Sequence, residues 1–321
     1  MPPLEFAQLS EKRKKWIECL DGNDRNSIRQ QIVQMTWNVA AYRIVIEARR
    51  LARPASDGGV ELNGMVNELL DQSFAQSHMV AIRRLTDTGE LAGKKGVYSL
   101  GSLIRDIKFC REALTRENVL KLEGLPYDIA ELQAQEAAFQ AEKLAEGTRA
   151  YHVPARLHSF PIKRRHEDLD RLCQVRSDAR QPQDTIQEIV LDRLLQRLDD
   201  ACSRLDTHVN KFIAHSATPG SRAIVGADSA VLTYGHLWEA HQAVCEVASF
   251  INVHLLGGPS LHPLATPQFD QFRFIERPLV SKEKVDALRQ AWKATEREMH
   301  EWGNWRMDEL EDGTTAQRGT T

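Results

Sequence analysis

Apolar positions along this chain recur every three or four residues almost everywhere, the period of an α-helix with one buried face. Between Asp24 and Leu51 they fall at Ile28, Ile32, Met35, Val39, Tyr42 and Ile46, a single stripe that predicts one long helix. Pro54 and Gly58-Gly59 end it. A second helix is predicted from Leu62 to Leu85, with Val66, Leu70 and Phe74 inward, stopped by the turn Thr86-Asp87-Thr88-Gly89. Ser99 has the side chain of an N-cap and opens a helix through Leu103, Ile107 and Leu114. Pro126 opens a segment rich in Ala, Glu and Gln that lasts to about Gly147, an exposed arm or a helix laid on the main body. An irregular stretch with Pro154 and Pro161 follows, and its basic run Lys163-Arg164-Arg165-His166 reads as a solvated linker.

The longest stripe runs from Asp184 to His215, through Leu191, Leu194, Leu198, Cys202, Leu205, Val209 and Phe212. A straight helix of that length spans about 50 Å. Pro219-Gly220 breaks it. A further helix from Leu232 to Leu256 turns Leu237, Val244, Ile251 and Leu255 inward and stops at Gly257-Gly258-Pro259. The last helix, Lys282 to Trp302, places Val285, Leu288, Trp292, Met299 and Trp302 on one side. Trp292 and Trp302 at helical spacing read as core rather than as base-stacking residues. No strand pattern and no fixed repeat appears. The pattern predicts an all-α fold, an up-and-down helical bundle over residues 1–302 followed by a disordered polar tail, 303–321.

With 42% hydrophobic and 27% charged residues, the composition is that of a soluble protein, and a net charge of −3 gives no overall attraction to nucleic acid. Any anionic partner must therefore use a local patch. Cys19, Cys110, Cys173, Cys202 and Cys245 are scattered, without C-x-x-C spacing, and read as reduced thiols. The N-terminus lacks the apolar core of a signal peptide, and no apolar run approaches the roughly 20 residues of a membrane span. A cytoplasmic protein with no membrane segment is expected. The Gly89–Gly96 loop lacks the Gly-Lys-Ser/Thr ending of a phosphate-binding loop. His236 and His241, five apart, lie about 140° apart on a helix and do not make a zinc-binding pair. No metal site and no cofactor is predicted.

The candidate chemistry lies at the end of the longest helix. Arg204, His208, Lys211 and His215 are spaced four, three and four apart, which on an α-helix gives one stripe about 60° wide beside Leu205, Val209 and Phe212. In the bland alternative this is a solvated face, with His215 closing the helix end. In the functional one it is an anion site, where a histidine passes protons and a cation steadies charge on a phosphate.

The segment Asn210-Lys211-Phe212-Ile213-Ala214-His215-Ser216 resembles the signature of HEPN proteins, in particular the abortive-infection AbiU-like branch. Those proteins carry an Arg, usually a polar residue, and a His five to seven positions after the Arg, at the end of a core helix. Ile82-Arg83-Arg84-Leu85-Thr86-Asp87, followed by Ser99-Leu100-Gly101-Ser102-Leu103, resembles the Arg-Leu-x-Asp and Ser-Leu region of the same branch. Leu232-Thr233-Tyr234-Gly235 opens the next helix as similar proteins do. The likeness covers residues 24–110 and 183–257, a HEPN-like core with 111–182 as a helical insertion and an extra C-terminal helix. It implies a prokaryotic defence or toxin-type protein, a homodimer, with RNA as substrate and an antitoxin or defence-system protein as partner. The implied reaction is metal-independent RNA cleavage, with the ribose 2′-hydroxyl attacking the adjacent phosphate.

This chain departs from the signature. Asn210, Val209 and His208 stand five, six and seven positions before His215, and none is Arg. His215 and Asn210 carry over directly. Lys211 or His208 would take the place of the Arg, or Arg83 or Arg84 would be donated from the second helix, with Arg204 beside them for RNA. Arg83 also has the spacing of an i,i+4 pair with Asp87. The alternatives are a lapsed module that binds RNA, nucleotide or a partner protein, and a structural helical adaptor.

Overall fold

A computed structural model of the chain describes residues 4–51, 63–147, 154, 159–213, 218–223, 232–261, 267, 269–273, 275 and 281–302. His215 and the tail after Trp302 lie outside the described residues. Described secondary structure is helical apart from one isolated bridge between Thr115 and Thr185. The helices are α1 (Phe6–Asp21), α2 (Ile28–Leu51), α3 (Gly64–Thr86), α4 (Leu100–Phe109), α5 (Arg116–Leu122), α6 (Ala130–Ala145), α7 (Phe160–Cys173), α8 (Glu188–His208), α9 (Pro219–Ala223), α10 (Tyr234–Phe250) and α11 (Val285–Trp302). The all-α reading holds. Residues 1–265 form one compact unit and 266–321 another.

In the larger unit α8 and α10 pack on each other, α3 lies on both, α2 packs on α3 and α10, and α4 on α8 and α3. The α8 stripe is buried at Leu191, Leu194, Leu198, Ala201, Cys202 and Leu205, and each fully buried leucine stabilises by about 1.5–3 kcal/mol. On α2 the predicted stripe is buried from Ile28 through Tyr42, while Ile46 stays 40% exposed. On α3 the inward face begins only at Phe74. Leu70 is exposed and Val66 half-buried, because the packing partners cover the C-terminal half of α3. The periodicity argument passed over α1. Its basic run covers the outer face, and Leu9, Trp16, Cys19 and Leu20 enter the core. Lys12 Nζ and Trp16 Nε1 both donate to Asp106, at 2.7 Å each, tying α1 to α4.

The turn from α3 to α4 is tight for a chemical reason. Ser99 caps α4 as expected, accepting from Ser102 N–H at 3.1 Å, and its hydroxyl donates to the Asp87 carbonyl at 2.6 Å. A Cβ on Gly101 would stand 2.5 Å from that carbonyl oxygen, so only glycine lets the two helices meet there.

Within segment 111–182, some helices are loose and others fastened. Helix α6 buries no side chain. Helices α5 and α7 place Val119, Leu120, Leu169 and Leu172 in the main core. The supposed linker run lies within α7, with Arg165 and His166 buried. Two guanidinium groups hold this segment. Arg116, fully buried, donates to Asp184 at 3.1 Å, to Asp170 at 3.0 Å and to the His166 carbonyl at 3.3 Å. Arg165 donates twice to Glu123, at 2.8 and 2.6 Å, and to the His254 carbonyl at 2.6 Å. Such planar, bidentate contacts are ones lysine does not reproduce.

In the smaller unit α11 keeps its apolar stripe, with Leu288, Trp292 and Met299 on the surface. Trp292, expected as a core residue, is 63% exposed. Among the described residues no helix is long and apolar enough to cross a membrane.

Removing one partner of a buried ion pair leaves uncompensated charge and costs about 3–5 kcal/mol. Arg116→Ala is therefore expected to lower unfolding free energy by about 3 kcal/mol in urea titration. A loss below about 1 kcal/mol would show that Arg116 is not the fastening.

Candidate functional site

Helix α8 is regular to His208, and the next five residues, Val209–Ile213, wind as a π-helix. A π turn bonds i to i+5, so the α spacing that aligns Arg204 and His208 does not carry unchanged to Lys211. Single π turns occur frequently at functional sites. Helices α3 and α10 and the short α9 surround this end of α8.

Arg204 is exposed, and its Nη1 lies 2.9 Å from Nε2 of His236 on the first turn of α10. His236 Nδ1 is also 3.2 Å from the Thr233 N–H, in the capping box that starts α10. A neutral imidazole accepts at only one nitrogen, so the two donors compete and Arg204 is not locked in place. His208 is half-buried and stacked on Phe212 with ring centroids 4.6 Å apart. Its Nδ1 is buried with no hydrogen-bond partner among the described residues. Burial holds its pKa below the ordinary histidine value, so the ring is neutral at pH 7 and offers a proton acceptor rather than a fixed charge. Lys211 donates to Ser221 Oγ on α9 at 2.8 Å. Asn210 is exposed.

Of the two arginines on α3, only Arg83 is brought to α8. It lies 3.5 Å from Asp87, the expected i,i+4 partner, and 3.7 Å from Asp206 of α8. Arg84 turns to the other side of α3, into a groove against α2.

Asp206 is the residue that sequence reasoning missed. Its Oδ1 is buried without a hydrogen bond among the described residues. Burial raises its carboxyl to about 6, Asp199 and Asp87 add to the rise, and Arg83 and Thr86 pull it down less than burial raises it. A carboxyl near 6 exchanges protons readily near neutrality. In sequence Asp206 is one more polar residue beside an apolar stripe, and only the packing of α3 onto α8 distinguishes it.

His241, set aside as a metal ligand, is buried, with Nε2 3.0 Å from Thr36 Oγ1 and its ring 5.1 Å from that of His78. Burial pushes the two histidines down to about 4 and about 3. No group of three or more potential metal ligands forms among the described residues.

No curated protein and no solved structure matches the chain. The family model described as AbiU2, a HEPN family, matches residues 23–273. That range takes in α2 to α10, the end of α8 with its π turn, and the segment fastened by Arg116 and Arg165. The chain belongs to the HEPN AbiU2 family, of the abortive-infection type.

Proposed function

We propose that this chain is a defence protein of the cytoplasm that cleaves RNA without a metal, at the end of α8. The observation that carries the reading is the grouping at the end of α8, where Arg83 lies 3.7 Å from Asp206 and the half-buried ring of His208, two residues on, keeps Nδ1 without a hydrogen-bond partner among the described residues. Cleavage needs a base to take the proton of the 2′-hydroxyl as its oxygen bonds to phosphorus. It needs an acid to protonate the leaving 5′-oxygen as the old P–O bond breaks, and positive charge for the phosphate between them. In this proposal His215 moves protons, Asn210 and Lys211 meet the substrate, and His208 is the second imidazole. Asp206 is a positioning residue for Arg83. RNA is the substrate, and an antitoxin or defence-system protein is the partner that the family suggests.

A second reading, a module that binds RNA without cutting it, is favoured by a specific observation. Arg83, Arg204 and Lys211 each face a protein partner already, and no arginine stands at positions 208 to 210. The homodimer is also a proposal. Exposed Met65, Leu69 and Leu70 on α3, with Ile46 and Leu51 on α2, support an apolar face for a second copy.

Incubation with mixed RNA in EDTA separates the readings. Cyclic-phosphate products are expected from the wild type, and at least about a hundredfold less from His215→Ala, the low end of general acid–base effects. Intact RNA that is retarded on a gel would instead establish the binding module.

Asp206 gives a signed pH test. The folded protein holds this proton up to about 6, whereas an ordinary aspartate releases it near 3.8. Folding therefore loses stability as pH rises between those values, and the loss stays complete above them. With the side chain about a third exposed, the expected difference between wild type and Asp206→Asn is on the order of 1–2 kcal/mol. If the two proteins keep parallel stability curves across that window, Asp206 has an ordinary carboxyl.

Leu69→Lys should convert a dimer to a monomer in light scattering after gel filtration, with its helical circular dichroism unchanged. A wild type that is monomeric at the highest soluble concentration would refute the two-fold face.

A further inference from the structure

We propose that α11 is a self-association helix that pairs, in antiparallel orientation, with α11 of a second copy of the chain. The helix lies beyond residue 273, where the match to the AbiU2 family ends. The contact is therefore built from residues other than those of the α2 and α3 face and of the α8 end.

The apolar spacing is the first support. Val285, Leu288, Trp292, Thr295 and Met299 follow one another at steps of three, four, three and four. That is the 3.5-residue repeat of a two-stranded coiled coil, whose a and d positions face the partner. Val285, Trp292 and Met299 take a, and Leu288 and Thr295 take d. Leu288, Trp292 and Met299 are each more than half exposed, and no described side chain of the helix is buried. A helix of 18 residues is marginal in water without a packed face. The Thr295 hydroxyl donates to the Ala291 carbonyl at 3.1 Å, so it enters a seam with its hydrogen bond already made.

Charge selects the partner and the orientation. The g and e positions flank the seam and set both in coiled coils. Toward the N-terminal end they hold Lys284, in the turn that leads into α11, and Arg289. Toward the C-terminal end they hold Glu298 and Glu296. In an antiparallel pair g shares an edge with g, and e with e, with the ends reversed. Lys284 then stands on one edge with the second copy's Glu298, and Arg289 on the other with the second copy's Glu296. A parallel pair would gather the bases at one end and the acids at the other. The order along the edges also opposes the helix dipole, which favours acids near the N-terminus and bases near the C-terminus. Asp286 and His300, on the outer face, follow that preference. A partner running the other way accounts for the reversal along the seam. Arg289 also reaches Asp286 at 2.7 Å, but both side chains are well exposed and such a pair is weak.

Side-chain size agrees with charge. Antiparallel packing sets a against d, so the indole of Trp292 lies opposite the second copy's Thr295, and Leu288 opposite the second copy's Met299. Parallel packing would crowd two indoles into one layer and leave two threonines in the next, against the even density of a packed interior. The coil is short, so it forms at high concentration and comes apart on dilution during gel filtration.

The test is sedimentation equilibrium of the full chain carrying Leu69→Lys, which isolates this contact from the α2 and α3 face. The expected result is a reversible dimer with a dissociation constant on the order of 0.1 mM. Adding Trp292→Glu should weaken it at least about tenfold, the loss of a tryptophan anchor, with the urea midpoint unchanged. Lys284→Glu with Arg289→Glu makes the flanking charges wholly acidic and should weaken it as much. So should Glu296→Lys with Glu298→Lys, which makes them wholly basic. Mixing these two doubly substituted chains should restore a dimer. The proposal is overturned if the Leu69→Lys chain is monomeric at about 1 mM, or if mixing restores nothing. It is overturned equally if the acidic chain associates undiminished, the result for a parallel pair, or if Trp292→Glu changes nothing, which places the contact on another surface.

Discussion

The buried face of α8 sets the character of the charged groups along its edge. Helices α3, α4 and α10 cover Leu191, Leu194, Leu198, Cys202 and Leu205, and that coverage also removes water from one side of Asp206 and His208. At 3.7 Å, Arg83 attracts the Asp206 carboxylate by about 4 kcal/mol in an effective dielectric near 20. Desolvation of a buried ion costs several kcal/mol, of the same order. At 3.7 Å the pair is too long for a hydrogen bond, so burial wins and the carboxyl stays well above its ordinary value. The same dry margin keeps His208 neutral. A core built only for stability would place aliphatic or small residues at such positions.

The far end of the bundle shows how the insertion serves this arrangement. Helix α10 finishes in a π turn, Ile251–Leu255, and the last carbonyls of a helix have no partner within it. Arg165 of α7 takes the His254 carbonyl, and Arg13 of α1 takes that of Leu256 at 2.6 Å. Positive groups at a helix C-terminus also complement its dipole. The insertion and α1 therefore complete α10 at one end, while its other end carries His236 toward Arg204. The hold of α10 against α8 thus draws on a pair of arginines that lie outside both helices.

Elements that bury one continuous apolar face were legible in sequence. The stripes of α2 and α8, the Ser99 cap and the all-α class follow from spacing and side-chain type alone. The remainder was illegible for identifiable reasons. Helix α1 hid behind its basic outer face. Arg165 reads as part of a solvated linker and Arg116 gives no signal in sequence, because burial of an arginine is decided by carboxylates 42 to 68 residues away. The π turns leave no mark on periodicity until the hydrogen bonds are seen. Asp206 and the buried ring of His78 acquire their chemistry from helices that are distant in sequence. The candidate site is legible as a place, the end of α8, and not as a set of partners.

That geometry bears on the arginine that the HEPN signature has and this chain lacks. Position 209, six before His215, is occupied by a valine only 4% exposed in the main core. An arginine there would carry a charge into the apolar core, at a desolvation cost of several kcal/mol. Position 208 holds a ring stacked on Phe212, and position 210 opens to solvent. The face of α8 can therefore present a cation at only two of the three positions, and at both it presents a neutral side chain. Positive charge near this end comes instead from Arg83 across the α3–α8 contact and from Lys211 within the π turn. Arg83 is held by two carboxylates, one of which burial pushes up to about 6, so in the proposed reaction its freedom to meet a phosphate depends on the protonation of Asp206. An arginine in the helix itself carries no such dependence. Moving the charge from α8 to α3 makes the cation conditional on pH and on packing.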